Sequence, residues 1–317
     1  MADMWKVVLA VVVAAFAAFI THRIVKLKEM ALVSREVPVK HLKCRYLENI
    51  DLLHPRPTPV MLQIKGQLDL SSFNPHGISV YTDETDGSVY LFVVNHPQKN
   101  SQIEIFSFVG GDTLLHLKTI IHPLLHSVND IIAVGVENFY ATNDHYFHND
   151  ALHFLTILLG LSWCDVVYYS PGDVRVAASA IMSSNGINIS PDKRYIYVSD
   201  ILDHEIDVFK RQEGEQLVFM KSVAVGSLCD NIEVDQKSGD VWLGCHPNSM
   251  KLSQFNPEDP PGSEIIKIKN IHSEQPVVTQ EYVDDGHVLM ASTVAAPYEG
   301  KLLIGTVFHK ALYCNLK

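Results

Sequence analysis

The stretch NGINISPDKRYIYVSD, residues 185–200, decides the fold. NGINI alternates around β-branched positions, SPDK is turn chemistry, and YIYVS is again aromatic and β-branched. The stretch therefore predicts two short strands joined by a tight turn. The same pattern stands at 129–144 (NDIIAVGVENFYATND) and 230–245 (DNIEVDQKSGDVWLGC). It returns more loosely at 292–307 (STVAAPYEGKLLIGTV) and, with a longer turn, from His76 (HGISVYTDETDGSVYLFVVNH). The unit starts are His76, Asn129, Asn185, Asp230 and Ser292. Hairpin units recurring at roughly fifty residues, with further strands between them, predict an all-β chain folded as a β-propeller. The intervening strands are expected at IEIFSF (103–108), LLHLKTI (114–120), VVYYS (166–170), EIDVFKR (205–211) and EIIKIKNI (264–271).

The bulk composition fits one large core: 317 residues, 47% hydrophobic and 19% charged. A formal charge of −11, with no basic run among aromatics in the repeats, excludes a nucleic-acid surface. Five cysteines without a CxxC pair argue against structural zinc. Cys44 and Cys314 bracket the repeats, so a disulfide between them would close the ring and imply an oxidising compartment; five buried reduced thiols are the other reading.

Three regions follow: 1–28 a hydrophobic signal or anchor helix, 29–70 a connector arm with a truncated first blade, and 71–317 the propeller carrying the chemistry. The uncharged run Val7 to Ile20 has signal-peptide length, with Ala15-Phe16-Ala17 as a small-residue cleavage site. Extension through Val25 would instead make a tilted anchor, and Arg23, Lys26 and Lys28 follow the run. Within the repeats, only 147–163 reads as helical, with Leu152, Leu155, Leu158, Leu159, Leu161 and Trp163 expected to lie on the propeller.

The innermost strand of every propeller blade lines a central channel, so the unit-start residues converge there. They and the second positions Asp130 and Asn231 are mostly amides and carboxylates, and hard oxygen donors select calcium over zinc or copper. Satisfying local turns is the other use of such residues. His76 at a unit start and His96 in VVNHP are candidates for a general base. No GxSxG elbow or phosphate-cradling glycine loop is present.

The strings SSFNPHGIS (71–79), LFVVNHP (91–97), ATNDHYF (141–147), NGINISPD (185–192), GCHPN (244–248) and KLLIGTVFHKALYC (301–314) closely resemble the serum paraoxonase family. The resemblance, over roughly residues 30–317, implies a six-bladed propeller holding two calcium ions. It implies hydrolysis of lactones and aryl esters, and in some members of organophosphate triesters. An uncleaved N-terminal helix would attach the secreted protein to lipoprotein or membrane. By the same resemblance Asn129, Asn185, Asp230 and Asn231 bind the catalytic calcium. Asp130 and the Ile78 carbonyl bind the structural one. His76 and His96 form a water-activating dyad, with Asp144 and His145 nearby. Cys44 pairs with Cys314, and Cys245 is a free thiol.

The chain departs from the family after Cys44, where RYLENI runs directly into DLLHPRPTPVMLQIKG (51–66). A Glu-Asp pair that should give one carboxylate to each calcium is absent. Counting back from His76 places a sixth unit inside the hydrophobic segment, so the chain reads as one blade short, through a skipped internal exon or a gene-model error. Both calcium sites are then expected to weaken, and a catalytically impaired, lipid-binding protein is the competing function. Glu48 or Asp51 is the nearest replacement carboxylate. The ring must either tighten to five blades or keep an open edge. The one N-x-[ST] sequon, Asn188-Ile189-Ser190, falls on an expected inner strand and so is expected to lack glycan in the folded protein.

Overall fold

The computed structural model describes residues 2–33, 35–46, 61–307 and 309–316. Glu48, Asp51 and the proline-rich step at 54–59 lie outside the described residues. Helix α1 (Ala2–Met30) precedes strand β1 (Lys43–Tyr46). The first blade follows: β2 (Gln63–Lys65), β3 (Pro75–Thr82), β4 (Val89–Asn95), β5 (Gln102–Phe108) and β6 (Thr113–Ile120). The second holds β7 (Val128–Ala133), β8 (Phe139–Asn143), β9 (Cys164–Ser170) and β10 (Asp173–Ile181), with α2 (Asp150–Leu159) inserted after β8. Strands β11 (Ser184–Ile189), β12 (Tyr195–Asp200), β13 (Glu205–Arg211) and β14 (Leu217–Ala224) make the third blade. The fourth contains β15 (Leu228–Val234), β16 (Val241–His246), β17 (Ser263–Lys269) and β18 (Val277–Asp284). The fifth joins β19 (Ser292–Tyr298), β20 (Lys301–Thr306) and β21 (Leu312–Asn315) to β1 from the other end of the chain. All five hairpin units are therefore inner strand pairs, and the fold is a five-bladed propeller.

Apolar clusters weld successive blades. Phe92, Ile105, Ile131 and Phe139 join the first and second. Val166, Ile187 and Ile196 join the second and third, and Tyr197, Val208, Ile232 and Leu243 the third and fourth. Trp242, Ile265, Ala295 and Ile304 join the fourth and fifth. The remaining cluster stays with the first blade, where Ile64, Leu68 and Phe73 pack on Val93, Phe106 and Leu114. Among the described residues no cluster joins the fifth blade to the first. The third residue of each of the first four hairpin units reports this directly. Ile131, Ile187 and Ile232 are at most 4% exposed against the preceding blade, whereas Ile78 is 61% exposed. Of the two expected outcomes for the ring, the open seam is the one observed.

The N-terminal arm ties the blades together. Cys44 and Cys314 sit opposite each other in β1 and β21 and form a disulfide. Arg35 makes a two-pronged contact with the fully buried Glu264 at 2.7 and 2.9 Å, and His41 meets the buried Asp284 at 2.6 Å.

Two expectations are corrected here. Cys245 is not free: it is bonded to Cys229 across β15 and β16, and the free thiol is the buried Cys164. Register brought the two cysteines face to face, which spacing alone does not reveal. Helix α2 is shorter than 147–163, capped by the Asn149 side chain at its start and by Gly160 in the left-handed region (φ 70°) at its end. Of its expected apolar positions, Leu152, Leu155, Leu159 and Trp163 are exposed, as is Phe154, whereas Leu158 and Leu161 are half-buried. The helix instead meets α1, where Arg23 donates to the Leu158 and Ile157 carbonyls at its negative end. Among the described residues no helix is long and apolar enough to cross a membrane.

Candidate active site

Each inner strand is interrupted at the same place. Pairing in the first blade passes from Pro75↔Asn95 to Ile78↔Val93, so His76 and Gly77 together oppose one residue. The same one-residue bulge holds Asn129 and Asp130 in β7, Asn185 and Gly186 in β11, and Asp230 and Asn231 in β15. In β19 the extra residue is Thr293, between Ser292 and Val294. Bulges turn side chains out of the pleat, which is how His76, Asp130, Asn231 and Thr293 come to line the space between the inner strands. The bulge glycines allow close approach. A Cβ on Gly77 would stand 2.6 Å from Asp130 Oδ1, and one on Gly186 would stand 2.4 Å from the Asp230 carbonyl.

A clamp precedes each bulge in the first three blades. Asn95 accepts from the Asn74 amide (2.8 Å) and Asn143 from the Ser127 amide (3.1 Å). Asp200 accepts from the Met182 and Ser183 amides (2.8 and 3.0 Å). All three end the second strand of their unit, in VVN, ATN and VSD, a repeat visible in the sequence but not singled out there.

The inner strands enclose a cavity of about 720 Å³ lined by His76, Ile78, Asp130, Asn231 and, from the fifth blade, Thr293 and Val294. Asn129 donates to Asp144 (3.3 Å), whose other carboxylate oxygen meets the His145 ring. Asp130 accepts from the Ile187 amide at 3.0 Å, and burial pushes its carboxyl up to about 7. Asp230 lies 3.4 Å from His246 Nε2. His76 Nδ1 and His96 Nε2 are 3.2 Å apart, and Ser101 Oγ stands 3.3 Å from the other His96 nitrogen. Burial first, and then the neighbouring His76, lower the His96 pKa, while the hydrogen bond that the His145 ring donates to Asp144 raises that of His145. Ser101, Thr142 and His246 were missed in the sequence. Thr142 donates to the Asn185 carbonyl (2.6 Å) and fixes that bulge.

Two atoms test whether the site suits a cation. Asn129 Oδ1 and Asn185 Oδ1 are buried with no hydrogen-bond partner, an omission that costs about 1–3 kcal/mol each unless a donor or a cation meets them. Asp130, beside Asn129, lines the cavity, as do Ile187 and Asn188, which follow the Asn185–Gly186 bulge. Among the described residues no three His, Cys, Asp or Glu side chains converge on one metal position. The donor set is thus amide oxygens with Asp130 and Asp230, which suits a hard cation and is thin in charge. Ile78 lines the same cavity.

Known proteins carry the same chain pattern. The family described as Arylesterase matches residues 41–316. Serum paraoxonase/arylesterase 2 of Gallus gallus is 53% identical over 268 residues, covering 84% of this chain and 75% of that protein. Serum paraoxonase/arylesterase 1 of Homo sapiens is 53% identical over 269 residues, 84% of this chain and 76% of that one. The chain belongs to the serum paraoxonase/arylesterase family.

Proposed function

We propose that the chain is a calcium-dependent hydrolase of lactones and aryl esters, with organophosphate triesters as a further substrate class. The observation that carries this reading is the pair of buried, unpartnered amide oxygens, Asn129 Oδ1 and Asn185 Oδ1, on the neighbouring inner strands β7 and β11, with the His76–His96 pair on the adjoining first blade. Asn129, Asn185, Asp230 and Asn231 would hold a catalytic calcium, and Asp130 with the Ile78 carbonyl a second ion. When bound, calcium supplies Lewis-acid polarisation of the scissile carbonyl and a counter-charge for the developing oxyanion.

The proton chemistry belongs to the histidines. With His76 Nδ1–H donating to His96 Nε2, the free His76 Nε2 accepts the proton of an attacking water, and its Nδ1 proton passes to His96. That tautomer leaves His96 Nδ1–H to donate to Ser101 Oγ, which also accepts from the Val128 amide at 3.1 Å. Ser101 thereby orients the second ring against the first. The depressed pKa of His96 keeps that ring neutral and able to accept at physiological pH.

The exposed apolar residues of α1 (Leu9, Val12, Phe16, Phe19) and of α2 (Phe154, Leu155), with Trp163, support attachment to lipoprotein or membrane. The two disulfides support passage through the secretory pathway. Asn188 donates its side-chain amide to the Ile232 carbonyl (2.8 Å), which supports its remaining unmodified. The open seam and the exposed His76 favour one competing reading, a lipid-bound protein with impaired turnover. Aryl-ester and lactone turnover with and without a calcium chelator separates the two. Chelator-sensitive hydrolysis, lost in Asp230→Ala and His76→Gln, supports the enzyme. Partition into lipid without turnover supports the alternative.

A further inference from the structure

The fourth blade holds its bulge differently from the first three. Asn95, Asn143 and Asp200 occupy equivalent positions, each paired with the residue immediately before a bulge and each accepting backbone N–H bonds from the entering chain. In the fourth blade this pair is Cys229↔Cys245, and the next pairing, Ile232↔Leu243, comes after the bulge of Asp230 and Asn231. The clamp there is covalent. It is buried, with Cys229 1% and Cys245 0% exposed, and its backbone is anchored on both sides. Ser199 Oγ of the third blade donates to the Cys229 carbonyl, and Ser292 Oγ of the fifth donates to the Cys245 carbonyl at 3.0 Å.

We propose that the Cys229–Cys245 disulfide is a positioning element for the cation site, replacing a hydrogen-bonded clamp and fixing the Asp230–Asn231 bulge so that both side chains face the channel. The proposal rests on the calcium reading above and assigns to two cysteines a role in ligand geometry rather than in overall stability. In the first three blades an Asn or Asp side chain restrains the chain at this point with one or two hydrogen bonds. In the fourth, where no such side chain stands, a bond between β15 and β16 fixes the first residue before the bulge. The pair closes a hairpin of only 16 residues' separation, so it removes less chain entropy than Cys44–Cys314, with a separation of 270. Local geometry is therefore its distinctive contribution.

The test uses the full chain. Calcium affinity is measured by calorimetry, and amide hydrogen exchange of the 228–233 segment is measured without metal, for four proteins. These are the parent, Cys229→Ala/Cys245→Ala, Cys229→Val/Cys245→Asn and Cys44→Ala/Cys314→Ala. The Ala pair is expected to lose about tenfold or more in affinity and to exchange faster at 228–233. The Val/Asn pair, which copies the Val128 and Asn143 arrangement of the second blade, is expected to recover most of both. Removing Cys44–Cys314 is expected to lower the melting temperature without changing exchange at 228–233. Unchanged affinity and exchange in the folded Ala pair overturn the proposal. So does an affinity loss that the Val/Asn pair fails to recover. If the parent itself binds no calcium, the calcium reading fails, and exchange at 228–233 still decides the clamp. If the Ala pair does not fold, exchange in the Val/Asn protein decides it: protection like the parent's supports the clamp, and unprotected amides overturn it.

Discussion

Asp130 gives the sharpest quantitative prediction. Its carboxyl is buried between blades, accepts from the Ile187 and Ile131 amides, and has its pKa pushed from 3.8 up to about 7 by burial above all. The unfolded chain releases this proton near pH 4, whereas the cation-free folded protein holds it until near pH 7. Between those values the native state binds more protons than the unfolded one, so stability contributed by protonated Asp130 is lost as pH rises. From pH 5 to pH 8 the difference amounts to roughly two pK units, about 2.5 kcal/mol. Asp200, also pushed up to about 7, acts in the same direction, so the effect is isolated by comparison with Asp130→Asn. Urea unfolding in chelator at the two pH values is the assay. The Asn variant is expected to gain about 2.5 kcal/mol on the parent between pH 5 and pH 8. Excess calcium, by holding the carboxylate ionised in the fold, is expected to shrink that gain. Parallel pH profiles in chelator would refute the reasoning, because they would mean that Asp130 is already ionised at no cost.

Three further outcomes are expected. Arg35→Ala strands the fully buried Glu264 carboxylate and should cost about 3–5 kcal/mol in denaturant unfolding; a change under about 1 kcal/mol would mean that Ser227 and Gln280 suffice to satisfy it. Cys164, its thiol pushed up to about 12 by burial, should resist iodoacetamide at pH 8 in the folded protein and react fully in denaturant. Deleting residues 1–28 should abolish sedimentation with phospholipid vesicles, and Phe154→Asp with Leu155→Asp should weaken it; binding that survives both changes removes the apolar surface of α1 and α2 from the account.

Much of the fold was readable because each unit advertises itself. The alternating first strand, the polar turn and the aromatic second strand are local signals, and Asn129, Asn185 and Asp230 fall at the same offset in every copy. The bulge was not readable, since one extra residue in a strand leaves composition and periodicity unchanged and exists only in the pairing with β4, β8, β12, β16 or β20. The Cys229–Cys245 bond was missed for the same reason. The open seam was half legible: the missing unit could be counted, but whether five blades would close depended on Ile78, which looks no different in sequence from Ile131. The ends of α2 were overrun at 147 and 163, although Asn149 as a cap and Gly160 as a stop marked them, and its leucine spacing predicted an apolar face without saying what covers it. Periodicity gives a face, and packing alone decides its neighbour.

Calorimetric titration of calcium into the purified, chelator-stripped full chain tests the central claim most directly. Saturable binding is expected, weakened by the two-carboxylate donor set and lost at one site in Asp230→Ala. Absence of binding at millimolar calcium, or binding that Asp230→Ala and Asp130→Asn both leave unchanged, would contradict the assignment of the bulge residues as ligands. Tight binding at two sites would contradict the predicted weakening.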